Sequence, residues 1–292
     1  MNSPTIHAEH LSKAFGDKHV LRDLSFNVMA GDVIGVLGKN GAGKTTLLEL
    51  MLGFTPPTAG EINVFGHPSR QMPGAVKKRV GFVPQQDELL DSLMVADQIS
   101  LIASFYPNWD QELVAHLCAA WNINTAARIK TMSVGERQKL SILLAFGQRA
   151  DLLVLDEPVA SLDPLARRQF LEQLVELSTD ERRAVIFSSH IVSDIERLAN
   201  RIWILKEGQL NWQGDLDALK ESIVRLHLQR TAGLPAQIEI PGLLSWRRFE
   251  SGGLAIVRDW NEQAQHSLQE QLDCTVRAEP LGLEEIFLEL HR

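Results

Sequence analysis

Apolar and polar positions alternate over the first thirty residues. IHAEHLSKAF (6–15) and VLRDLSFNV (20–28) follow this pattern, with the turn residues Gly16 and Asp17 between them. A period of two with a turn pair between predicts two antiparallel strands. The pattern then changes. VIGVLG (33–38) is a short apolar run rich in β-formers, followed by a glycine loop and an apolar helix, TTLLELMLGF. This strand–loop–helix order predicts a parallel α/β core. VGFVP (80–84), LLVLDEP (152–158) and AVIFSSH (184–190) supply further strands.

Helical periodicity dominates about 88–150, with breaks at Pro107 and around 131–135. Asp163 and Pro164 form an N-cap and first helical position for LARRQFLEQLVELS. RIWILKEGQLNWQG predicts a hairpin turning at Glu207–Gly208. After about residue 218 short strand-like pieces appear (VRLHLQR, GLAIVRD, CTVRAEP). They end in a helix with Leu283, Ile286, Phe287 and Leu290 on one face. The expected division is a main domain over 1–217, with a helical subdomain at about 88–150, and a small α+β accessory domain over 218–292.

Composition narrows the class. An apolar share of 45% over 292 residues suffices for a sizeable core. The net charge of −8, with no Lys/Arg run, argues against wrapping DNA or RNA, so no nucleic-acid partner is expected. Cys118 and Cys274 are far apart and form no CxxC pair, so neither a disulfide framework nor a metal spacing is present. No secretory leader and no run of the ~20 apolar residues that span a bilayer are visible. The chain is expected to be soluble by itself, with any membrane role reached through a partner.

GKNGAGKT, Gly38 to Thr45, matches G-x-x-x-x-G-K-[ST] in full. Glycines let the backbone bend around a phosphate, and successive N–H groups at the helix start face the anion. Lys44 adds a mobile charge near the outer phosphates, and Thr45 offers a hydroxyl to Mg²⁺, which prefers hard oxygens. Asp156 ends an apolar strand and can hold that metal. Glu157 follows, where a carboxylate can orient water and accept its proton. A guanine-reading N-K-x-D is absent, which favours ATP.

GKNGAGKTT, the glutamine of VGFVPQQ, MSVGERQKL, LLVLDEP, SLDP and SSH occur in the order of the motifs of ATP-binding cassette (ABC) ATPases. The chain resembles that family over about 1–215. The resemblance implies a P-loop NTPase (RecA-like) α/β core with an antiparallel β subdomain and a helical subdomain. It implies that Gly38, Asn40, Gly41, Ala42, Gly43, Lys44, Thr45 and Thr46 form the phosphate loop, with Phe15 stacking on adenine. Glu157 becomes the catalytic base, His190 the switch residue at the γ-phosphate, and Gln85 a contact to Mg²⁺ and water beside Thr45 and Asp156. Gln86 neighbours Gln85; the apolar–Pro–Gln pattern favours Gln85. Asp163 falls in the loop that crosses the dimer interface. Ser133 and Gly135 would cap ATP held by a second ATPase subunit, in a homodimer or a heterodimer.

The signature loop departs from the common LSGGQ at Val134 and Glu136. Valine resists positive φ, and Glu136 is expected near anionic nucleotide, where like charge is unfavourable. The interval from Lys44 to Ser133 is too short for the long coiled coil of chromosome-maintenance relatives. The remaining common class is a transporter subunit, bound to an integral membrane permease at the cytoplasmic face of the inner membrane. ASFYPNWDQELV, SSHIVSDIERLANRI and LEEIFLEL resemble bacterial ABC-2-type exporters. An importer subunit, or a soluble regulatory or translation-linked ATPase, is the alternative. Phe105, Tyr106 and Trp109 either form an exposed aromatic patch or pack inside the helical subdomain.

Overall fold

β1 (Ile6–Phe15) and β2 (Lys18–Val28) pair antiparallel, from Ile6 against Val28 to Phe15 against Lys18. The ladder slips after Ala8, where His10 has φ 51°, the mark of a bulge. β3 (Val33–Leu37) leads through the glycine loop into α1 (Lys44–Leu52). β4 (Ala59–Val64) and β5 (His67–Pro68) then complete a four-stranded sheet ordered β2-β1-β4-β5. The sequence pattern predicts no strand at 59–68, because only Ile62 and Val64 are buried in β4. The computed structural model describes residues 3–230 and 233–291.

After α2 (Gly74–Lys77), β6 (Val80–Val83) opens onto the helical segment. This holds α3 (Val95–Ala103), α4 (Gln111–Ala120) and α5 (Val134–Gly147). Phe105 is 55% exposed, whereas Tyr106 and Trp109 are half-buried, with Trp109 close against Gly147. The aromatic cluster is therefore split between surface and packing.

β7 (Leu152–Leu155), α6 (Pro164–Ser178), β8 (Ala184–Ser188), α7 (Val192–Leu198), β9 (Arg201–Lys206) and β10 (Gln209–Asp215) follow. They complete a six-stranded sheet ordered β10-β9-β3-β8-β7-β6. β9, β3, β8, β7 and β6 run parallel. Every residue of β3, β7 and β8 is buried, as expected of strands covered on both faces. β9 and β10 join at Glu207 and Gly208, with φ 52° and 78°, a two-residue turn that matches strand twist. Leu47, Leu48, Leu50 and Met51 of α1 share one core with Ile6, Leu24 and Phe26 of the antiparallel sheet and Trp203 of β9. That packing fixes the helix whose start carries the glycine loop.

The chain divides into two compact units between Trp212 and Gln213. The second unit contains α8 (Leu216–Ser222), β11 (Ile223–Gln229), β12 (Leu243–Phe249), β13 (Gly252–Arg258), α9 (Glu262–Leu272), β14 (Thr275–Pro280) and α10 (Leu283–Leu290). Its antiparallel sheet is ordered β12-β13-β11-β14. Leu226, Leu228, Ala255, Val257 and Val276 meet Leu268 of α9 in a core of their own. No helix among the described residues is long and apolar enough to cross a membrane.

Candidate nucleotide site

Four adjacent parallel strands deliver the polar groups. β3 ends at the glycine loop, β8 at Ser189 and His190, β7 at Asp156 and Glu157, and β6 at Pro84 and Gln85. The carboxyl ends of parallel strands are where open α/β sheets hold ligands. A cavity of about 600 Å³ opens there, lined by Phe15, Lys18, Val20, Asn40, Gly41, Gly43, Lys44, Thr45, Thr46, Gln85 and Glu157.

α1 starts on Gly43, at φ 107°, with no side-chain cap. α4, α5 and α6 are capped by Asp110, Ser133 and Asp163 respectively. An uncapped start leaves first-turn N–H groups to an anion. A Cβ on Gly43 would lie 2.7 Å from Leu21 Cδ2 and 3.1 Å from the Val20 carbonyl, so space adds to the conformational demand for glycine there. Gly38 contributes its carbonyl, which accepts from Lys44 Nζ at 2.8 Å. Ala42 is buried at the base of the loop and, like Gly38, is not among the lining residues.

Lys44 Nζ lies 3.7 Å from Glu157 Oε1, with both side chains 8% exposed. Glu157 Oε2 lies 2.6 Å from His190 Nδ1 and accepts the His190 backbone N–H at 3.3 Å. Glu157 has φ 47°, a left-handed conformation that costs a side chain about 1–2 kcal/mol. Asp156 is 2% exposed, and its Oδ1 accepts the Ser188 hydroxyl at 2.6 Å. The Thr45 hydroxyl, the Gln85 amide and the Asp156 carboxylate offer hard oxygens, a donor set that suits Mg²⁺.

Ser133 and Gly135 stand apart; neither lines the cavity. Ser133 caps α5 in a capping box. Its backbone N–H and its hydroxyl donate to Glu136 Oε2 at 2.8 and 2.7 Å. Hydrogen bonds from the Ser133 hydroxyl and then its N–H hold the Glu136 carboxyl below the ordinary carboxylate value. Glu136 therefore serves the helix start of its own chain as an ionised carboxylate. Val134 is the first residue of α5 and is absent from the positive-φ residues. Asp163 is spent on the start of α6, accepting from Leu165 and Ala166 N–H groups, and it lies outside the cavity.

The sequence model of the family described as ABC transporter matches residues 21–160. A Nod factor export ATP-binding protein I of Burkholderia thailandensis is 32% identical over 298 residues, spanning 99% of this chain and 98% of its own. The chain belongs to the ABC transporter ATP-binding proteins. The ABC transporter ATP-binding protein YtrB of Bacillus subtilis is 27% identical over 283 residues, 97% of each chain. Among solved structures, an ATP-binding subunit of an ABC transporter matches with a TM-score of 0.68 at 26% identity, over 74% of this chain and 92% of that one. As an ABC ATP-binding subunit the chain is an ATPase with a P-loop α/β core.

Three contributors escaped the motif reading of this ABC chain. Lys18 and Val20 line the cavity from β2. Lys18 is the direct cross-strand partner of Phe15, a register the Gly16–Asp17 turn already encodes. Ser188 stood inside the SSH motif, but its hydrogen bonds depend on which strands are neighbours, which no motif records.

Proposed function

We propose that this chain is the ATP-hydrolysing subunit of a bacterial membrane exporter, working as one of two nucleotide-binding protomers. Nucleotide binding is assigned to residues 1–217, and the accessory unit at 218–292 is given no chemistry. The single observation that carries the reading is the buried Lys44–Glu157 pair, joined at the surface by the exposed His190 ring, beside an uncapped helix start. Lys44 and the α1 N–H groups hold the outer phosphates. Glu157 orients water and takes its proton, and His190 holds Glu157 in place. Thr45, Asp156 and Gln85 would hold Mg²⁺, which supplies charge neutralisation on the phosphates when bound. Phe15, 50% exposed at the rim, offers a face to adenine.

Ser133 and Gly135 lie outside the cavity of their own chain, which supports completion of each site by the other protomer, with Asp163 in the loop between. Export follows the naming of the Burkholderia relative; an integral permease partner and a cytoplasmic-face location belong to the same proposal, as the way an exporter's ATP-binding subunit would reach a membrane. ATP then stabilises the paired state and hydrolysis releases it.

The test compares wild type with Glu157→Gln. Wild type releases phosphate from ATP; the variant keeps ATP binding, loses at least about 100-fold in turnover, and doubles in molar mass with Mg²⁺ and ATP in light scattering. Wild-type turnover equal to that of the variant, with both strictly monomeric even beside the permease, defeats the reading.

A further inference from the structure

Ser188 is fully buried at the end of β8, between β3 and β7 in the sheet. Its Oγ makes two hydrogen bonds with a fixed direction. The backbone N–H of Glu157 can only donate, so Oγ accepts it, at 2.8 Å. The single hydroxyl proton then goes to Asp156 Oδ1 at 2.6 Å, since an ionised carboxylate only accepts. One hydroxyl thus serves two consecutive residues of β7's tip. With Ser188 at 0% exposure, water cannot replace it.

Both bonds bear on the reacting groups. The donated proton engages Oδ1 of Asp156 and so leaves Oδ2 as the oxygen available to a metal. The accepted N–H holds Glu157 in its left-handed conformation, φ 47°, which few side chains adopt unaided. Two residues on, the His190 N–H reaches Glu157 Oε2. Glu157 is therefore gripped through its main chain by Ser188 and through its carboxylate by His190, both from the same strand end.

We propose that Ser188 is a positioning residue for hydrolysis: its hydroxyl sets the orientation of Asp156 toward the metal and the backbone pose of Glu157. The proposal rests on the reading of Asp156 and Glu157 given above. It goes beyond that reading by adding a residue that touches neither nucleotide nor water.

The test uses the full chain carrying Ser188→Ala, Ser188→Thr or Ser188→Cys. Two quantities are read: steady-state turnover, and ATP affinity with Mg²⁺ divided by ATP affinity in EDTA. Outer-shell partners of metal ligands are worth about 10–100-fold. Ser188→Ala is expected to lose about that factor in kcat, with KM for ATP changed less than about threefold. Its Mg²⁺ enhancement of ATP affinity should shrink, while affinity in EDTA stays at the wild-type value. Ser188→Thr keeps the hydroxyl and should recover most of both quantities. Ser188→Cys, a weak donor of similar size, should fall between, and it takes the place of alanine if Ser188→Ala does not fold. Wild-type kcat and Mg²⁺ enhancement in Ser188→Ala overturn the proposal, as does a Thr variant as impaired as the Ala variant. If wild type shows no turnover above Glu157→Gln, the functional reading fails, and the Mg²⁺ enhancement still decides the role of Ser188.

Discussion

Arg137 grips Asp87 and Asp91 together: its Nε lies 2.9 Å from both oxygens of Asp87, and its Nη1 lies 2.7 Å from Asp91 Oδ1. Arg137 belongs to the first turns of α5, just past Ser133, and Asp87 lies just past Gln85. The clamp joins the loop proposed to face a second protomer to the segment that lines the chain's own cavity. Arg137 and Asp87 are 18% and 16% exposed, so screening is reduced and a planar fork has an advantage that an ammonium lacks.

A double-mutant cycle on Arg137→Ala and Asp87→Asn should return a coupling of about 1–3 kcal/mol in chemical unfolding. Arg137→Lys should recover less than half of it, because an ammonium lacks the fixed planar fork that engages Asp87 through both its oxygens while reaching Asp91. A coupling indistinguishable from zero would mean the clamp is incidental.

Acid should weaken the same clamp. Hydrogen bonds from Arg137 hold the Asp87 carboxyl below its ordinary 3.8. A depressed carboxylate contributes stability above its unfolded value and loses it as pH falls through the folded one. The stability gap between wild type and Asp87→Asn should be constant from about pH 7 to pH 5 and close below about pH 4. Denaturant midpoints measured across that range check it; a gap that widens toward acid would contradict the sign.

Gly43→Ala places a Cβ 2.7 Å from Leu21 Cδ2 and 3.1 Å from the Val20 carbonyl, at φ 107°. The variant should lose about 1–3 kcal/mol of stability and most of its ATP affinity. Gly74→Ala is the control, since nothing lies within 4 Å of its Cβ; it should stay within about 0.5 kcal/mol of wild type.

Phe15 separates base recognition from phosphate recognition. Phe15→Ala should weaken ATP by about 1–3 kcal/mol, the usual value of base–aromatic stacking. Inorganic triphosphate should bind as before. Calorimetry with the two ligands distinguishes stacking from a general disturbance of the loop, which would weaken both.

Much of the site was legible because it is local. Gly38 to Thr46 is one contiguous stretch of loop and helix start, and its neighbours in the sheet are apolar runs each ending in a polar residue. The first hairpin followed from alternation and a turn pair, and α6 from Asp163 and Pro164, where cap and first helical position are adjacent letters. What was not legible depends on contacts between distant segments. β4 buries few side chains and carries little periodic signal. Lys18 reaches the cavity only through its register with Phe15. The charge of Glu136 is plain in the sequence, but its hydrogen bonds to Ser133 are not. In the accessory unit β12 pairs with β13 on one side only and has no buried residue, so the strand left no apolar run to find.

The Ser133–Glu136 bond has a consequence for assembly. The hydroxyl proposed to face a second protomer's nucleotide is already engaged by a carboxylate 2.7 Å away. Docking of two empty chains would surrender that bond for nothing of equal strength. Only an incoming acceptor with more negative charge than one carboxylate makes the exchange favourable. If Ser133 meets the second protomer's nucleotide as proposed above, a triphosphate terminus fits this requirement, and the box would disfavour unloaded encounters.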